Sequence, residues 1–239
     1  MKNFKSILFT LLLIATASQL FAHALWIETK SVGKIGASQE VKIFYGEYVA
    51  NERDSVTKWY SDVKDFSLWL TVPGKEKIKL YTTPGTNFYS ASFTPESDGV
   101  YLLTVVHEAK DLGGTTKYEF SSLAAVSVGK VNAIVEGSIS NPLHASAVEA
   151  KFYKTNSPIK IKASLDGKTL VAKNVTVFSP EGWSKEYKTD ENGMIEFSPL
   201  WAGRYVIEVS NYQEAAGEHL GKNYTAAWQG ATSTFEVTK

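Results

Sequence analysis

The sequence predicts an all-β protein, built as two consecutive β-sandwich domains that follow a cleaved signal peptide. Three observations carry this. Short runs of β-branched and aromatic residues recur along the chain, punctuated by Gly, Pro, Asn and Asp. No amphipathic helical pattern of three or four turns interrupts them. The series of runs occurs twice, on either side of a loop-like stretch near residues 130–140, which leaves two halves of about one hundred residues each, a size typical of sandwiches.

The first element is the leader. Lys2 and Lys5 precede the uncharged run "ILFTLLLIAT", which is too short to span a bilayer comfortably, and small and polar residues follow. This is the layout of a secretory signal peptide. No later segment is apolar and long enough to insert, so the mature chain is expected to be soluble, exported and periplasmic. The leader ends in "LFAHALWIETK". Cleavage after Ala22 leaves His23 first, whereas cleavage after Ala24 fits an Ala-x-Ala pattern and removes His23. The motif alone slightly favours Ala24.

In the first half, "EVKIFYGEY", "DFSLWLTV", "KIKLYTT", "NFYSASFT" and "GVYLLTVVHE" read as strands, and "NERDSVTKWYSDVKDF" reads as a long polar loop. In the last of these strands Tyr101, Leu103, Val105 and His107 share one face. In the second half, "PIKIKASLDG", "KNVTVFSP", "SKEYKTDENGMIEFSP", "GRYVIEVSN" and "YTAAWQGATSTFEVT" follow, and Asn192-Gly193 suits a hairpin turn. The predicted division is 1–22 signal peptide, 23–130 first sandwich and 131–239 second sandwich. Each half has its own strands and is large enough for its own core, so a limited interface is expected, with residues 131–239 folding alone.

Composition narrows the function classes. Twenty-five basic side chains balance 25 acidic ones, which gives no drive toward nucleic acid or anionic lipid. The absence of cysteine excludes thiolate zinc sites, iron–sulfur clusters and cysteine nucleophiles. No G-x-S-x-G, H-E-x-x-H or phosphate-binding glycine loop is present, and the carboxylates show no pairing, so no enzyme activity is expected. A copper brace of the oxidative polysaccharide enzymes is the one enzymatic alternative, and it lacks companion motifs.

Metal chemistry would then fall to the four histidines. As a first residue, His23 would offer an α-amine and an imidazole together, donors that suit nickel, cobalt, copper and zinc. His107, at a strand end, and His219, in the polar stretch "NYQEAAGEHLGKNY", are the candidates to complete a nitrogen set, with Glu218 adjoining. His144 in "NPLHASA" is read as a plain polar residue. Among the aromatics, Trp69 and Trp201 are expected in the core, and Trp59-Tyr60 on the surface.

Four stretches carry a resemblance: "AHALWIE", "GASQEVKIFYGEY", "VTVFSPEGWSKEYKTDENGMIEFSPLWAGRYVIEV" and "GEHLGKNYTAAWQGATSTFEV". Together they resemble a family of exported bacterial proteins of unknown function described as periplasmic components of nickel or cobalt transport systems. The second half is also similar to transthyretin-like and carboxypeptidase-regulatory-like sandwiches, and the sandwiches are expected to be immunoglobulin-like or transthyretin-like. The resemblance implies cleavage after Ala22, nickel or cobalt as the metal, and a membrane metal transporter as partner. The residue reading above places that divalent transition metal on His23, with His107 and His219 as the further candidates, and is equally compatible with copper or zinc. The alternative is a non-catalytic envelope module, binding or structural, whose histidines hold no metal.

Overall fold

The computed structural model describes residues 23–239; the leader and its cleavage site lie outside them. The first half contributes β1 (Ala24–Thr29), β2 (Val32–Gly33), β3 (Gln39–Gly46), β4 (Leu68–Thr71), β5 (Ile78–Leu80), β6 (Thr83–Pro84), β7 (Tyr89–Phe93), β8 (Gly99–Glu108) and β9 (Thr116–Val128). The second contributes β10 (Leu143–Ala147), β11 (Tyr153–Lys154), β12 (Ile159–Leu165), β13 (Lys168–Thr169), β14 (Asn174–Phe178), β15 (Ser184–Lys188), β16 (Met194–Phe197), β17 (Gly203–His219) and β18 (Lys222–Thr238). The protein is all-β, as the strand runs predict. Among the described residues only short 3-10 turns, such as Val56–Lys58 and Val63–Asp65, stand between the strands.

Alternation along the strands sets two cores. Leu25, Ile27, Val41, Ile43 and Tyr45 from β1 and β3 meet Leu68, Leu70, Tyr101, Leu103, Val105 and Val126 from β4, β8 and β9. In the second half, Leu143, Ala145, Ile159 and Ile161 meet Val175, Val177, Tyr205, Ile207 and Phe235. Each core is a sandwich filling. The small sheets are β1-β3-β7-β6 and β10-β12-β13, the latter with β16 also on β12.

The opposing layer is not two sheets but one. Its order is β15-β14-β17-β18-β9-β8-β4-β5, because β18 pairs in parallel with β9 from Ala226↔Thr116 to Thr234↔Ala124. The expectation of a limited interface is therefore corrected: the halves have separate cores but share a hydrogen-bonded ladder. Strands β9 and β18 carry small residues where they meet, and their alternate faces serve different neighbours. Thr232 and Thr234 donate to Leu25 O and Ile27 O, each at 2.6 Å, and Ser122 Oγ accepts from the Ile27 amide. On the other face Ser233 donates to Ala145 O at 2.6 Å. Serine and threonine satisfy backbone groups at a close approach that larger apolar side chains would block.

A third cluster, Trp26, Phe44, Phe178 and Val206, joins the outer face of the β1–β3 sheet to β14 and β17. Around it Arg204 donates to Thr29 O at 2.8 Å and pairs with Glu236 at 2.9 Å, while Arg53 pairs with Glu28 at 3.2 Å. The stretch "NYQEAAGEHLGKNY", read as a loop, is the tip of the β17–β18 hairpin. Leu220 and Gly221, both at positive φ (50° and 79°), form a two-residue turn of the kind that matches strand twist.

Two outcomes follow from this architecture. Residues 131–239 alone would expose the long β18 edge that β9 covers, a ready template for association. The fragment is expected to self-associate or precipitate at concentrations where the full chain is monodisperse by light scattering; a monomeric fragment with a cooperative transition would show that the shared ladder is dispensable. The second outcome concerns Glu208, which lines a small cavity with Trp26, Tyr48 and Phe178 between the layers. Burial pushes its carboxyl up from 4.5 to about 7. The unfolded chain loses this proton first, so the group costs stability increasingly as pH rises from 4.5 to about 7. Glu208→Gln is expected to raise stability at pH 8 by about 1–3 kcal/mol and to change little below pH 4.5 in chemical denaturation.

Candidate functional site

The end of the first sandwich where β1 begins and β8 ends collects the candidate residues. Its geometry starts at Gly46. This residue closes β3 at φ +146°, and a Cβ there would sit 2.5 Å from Glu52 O. Glycine thus lets the chain fold back over the strand end. The Glu52 amide donates to Glu47 O, and the Asp54 amide to Tyr45 O, both at 2.9 Å. The fold-back places two carboxylates beside His23, which precedes β1 opposite Gly46. Asp54 Oδ2 lies 3.3 Å from His23 Nε2, and Glu47 Oε1 lies 3.9 Å from Nδ1. The His23 side chain keeps 42% of its surface exposed and leans on the Tyr45 ring at 5.4 Å.

His107 and His219 do not turn toward His23. Nε2 of His107 is buried 3.2 Å from Asp62 Oδ1, although not in line for a hydrogen bond. Asp62 in turn accepts from the Lys110 amide at 2.8 Å and faces the Lys110 ammonium at 3.3 Å. Burial would raise the Asp62 carboxyl, but the Lys110 amide, His107 and the Lys110 ammonium overcome it and hold the group at about 2. His219 donates from Nε2 to Ala109 O at 2.9 Å, and its Nδ1 faces Glu108 Oε1 at 3.2 Å. Oxygen acceptors thus occupy both nitrogens. The carboxylate that orients it is Glu108, not the exposed Glu218. His144 is likewise held, between Asn141 O and Glu136.

The three histidines predicted as one ligand set therefore face separate carboxylates: Asp54 and Glu47 at His23, Asp62 at His107 and Glu108 at His219. Among the described residues, no group of three or more His, Asp or Glu side chains is arranged to hold a metal ion. Two of the histidines serve as ties. His107 pins the 61–65 turn to the end of β8, and His219 pins the β17–β18 hairpin to the residues just after it.

Between these ties opens a cavity of about 230 Å³, walled by His23, Tyr45, Tyr60, Tyr118, Phe120 and Trp228. Sequence reasoning missed it. Trp59, expected on the surface, is 4% exposed and packs on Tyr45 and Phe66, with its indole N–H donating to Asp54 O at 3.1 Å; its neighbour Tyr60 is the residue that reaches the cavity. Trp69 and Trp201, expected in the core, are only half-buried. The period-two pair Tyr118 and Phe120 marks one face of β9. Trp228, however, comes from more than a hundred residues away and meets Tyr118 through the β9–β18 register.

No protein-family model matches the chain, and no curated protein is significantly similar to it.

The Asp62 knot can be tested by pH. A carboxyl held below its ordinary value stabilises the fold above that value, and the contribution is lost as pH falls through the folded value. Asp62→Asn is expected to lower the thermal midpoint at pH 7, and the gap to the parent should close between pH 3.8 and about 2. A gap that persists unchanged at pH 2 would place the effect elsewhere than in the ionised carboxylate.

Proposed function

We propose that this is an exported, periplasmic protein that binds a divalent transition metal through His23 and supports nickel or cobalt uptake. The observation that carries the reading is the seating of His23: exposed, and flanked by Asp54 and Glu47 from a loop that folds back at Gly46. The other histidines are engaged as ties, so the site needs no other imidazole. Processing after Ala22 would add the α-amine, giving a donor set of amine, imidazole and carboxylate. Nitrogen and oxygen donors of this kind suit the later divalent first-row ions. A membrane metal transporter would take the ion onward.

The donors must shed protons to bind, so affinity is expected to fall as pH drops through the imidazole and α-amine range, about 8 to 6. A preference for copper in vitro follows from the usual order of divalent stabilities and does not bear on the ion carried in the cell. Calorimetric titration with nickel, cobalt and copper should compare the chain beginning at His23 with one carrying a single extra residue ahead of it. The extension moves the free amine off the histidine and is expected to weaken binding at least about tenfold, or about 1.4 kcal/mol. Asp54→Asn should weaken it further, while His107→Gln and His219→Gln leave it unchanged. Equal binding by the extended and unextended forms, or none by either, would return the protein to the class of envelope modules without a metal site.

A further inference from the structure

We infer that the aromatic cavity beside His23 is a binding site for a small organic cation of the quaternary or alkylated ammonium class. Tyr118 and Phe120, two residues apart on β9, hold their rings nearly parallel, at 16°. Tyr60 crosses Tyr118 at 75°, Tyr45 crosses Phe120 at 77°, and Trp228 crosses Phe120 at 62°, all with ring centroids within 6 Å. Aromatic rings thus make up most of the wall of this open-mouthed cavity. Such surface attracts a cation through the ring quadrupole, most strongly for tryptophan.

The enclosure is built into the backbone. A Cβ at Gly113 would stand 2.4 Å from the Tyr118 ring, and one at Gly230 would stand 2.0 Å from the Trp228 ring. Both rings therefore lie directly on main chain that only glycine leaves bare. The Tyr60 ring is fixed by its hydroxyl, which donates to Asp111 O at 2.8 Å, and its loop is held by the Asp62–Lys110–His107 knot.

Charge selects the occupant. No Lys or Arg lines the cavity, and the polar rim is His23 with Asp54 and Glu47 behind it. Two carboxylates against one imidazole leave this rim net negative whether or not the ring is protonated, so an anion is disfavoured. A sugar would need several hydrogen-bonding side chains; the lining has no Asn, Gln, Asp or Arg, the Tyr60 hydroxyl is already committed, and only His23 and the Tyr45 and Tyr118 hydroxyls remain. At about 230 Å³ the space falls below the usual range for drug-sized ligands and suits a compact headgroup.

The inference does not depend on metal binding, and its test is run with chelator present so that the two can fail separately. The purified protein is titrated with choline chloride, with its uncharged isostere 3,3-dimethylbutan-1-ol and with glucose, followed by calorimetry. Saturable binding of choline is expected, with the isostere at least about tenfold weaker, within the range of a desolvated cation–π contact. Trp228→Leu and Tyr60→Leu, each checked for a retained thermal transition, should each weaken choline at least about threefold. Equal binding of choline and its isostere would reduce the cavity to an apolar cleft and overturn the inference. Binding of glucose in place of choline, or no saturation by choline, would overturn it as well. The comparison of choline with its isostere on the unaltered protein decides the matter even if a variant fails to fold.

Discussion

The parallel pairing of β9 with β18 is the constraint on which the rest of the molecule depends. A parallel pair needs a long crossover, and here the crossover is nearly the whole second half of the chain. Once the two strands lie side by side, the first-half and second-half strands become one sheet, and the smaller sheets must find their places against it. The residues at the seam explain why it can form. Ser121, Ser122, Ala124, Gly230, Ala231, Thr232 and Ser233 are small, so neighbouring backbone can approach both faces, and the hydroxyls satisfy carbonyls and amides that would otherwise be buried without partners.

The candidate site is a product of the same seam. Tyr118 and Phe120 stand on β9, and Trp228 and Gly230 stand opposite them on β18 in register. Slipping the pairing by one residue would leave Trp228 on the opposite face of the sheet from Tyr118 and Phe120. The β17–β18 hairpin, tied through His219 to Ala109 and Glu108, holds the far end of this pair. Metal binding and cation binding, as proposed, would therefore both draw on contacts between the two halves: His23 belongs to a sheet that β18 carries through Thr232 and Thr234.

The histidines show how a residue type can suggest chemistry while its neighbours assign it otherwise. Four histidines without cysteine made a shared nitrogen site the natural expectation. Three of them instead meet a carboxylate or carbonyl within their own end of the fold: His107 with Asp62, His219 with Glu108 and Ala109, and His144 with Glu136. His23 differs in being exposed and in facing two carboxylates brought in by one fold-back.

By itself the sequence determined the all-β class, about ten of the strands though not β1, β9 or β10, and the alternation that places Tyr101, Leu103 and Val105 in the first core. These follow from local pattern: side-chain period, turn residues and β-branched content act over a few residues and can be read in order. Only the tertiary structure decided that the halves share a sheet, that the stretch around His219 is a hairpin, that Trp59 is buried, and that Asp54 and Glu47 meet His23 while Trp228 meets Tyr118. Those outcomes rest on pairings between residues far apart in the chain. Strand pattern states which face of a strand is apolar but not which strand lies beside it, and a ligand pocket exists only where such distant faces close on one another.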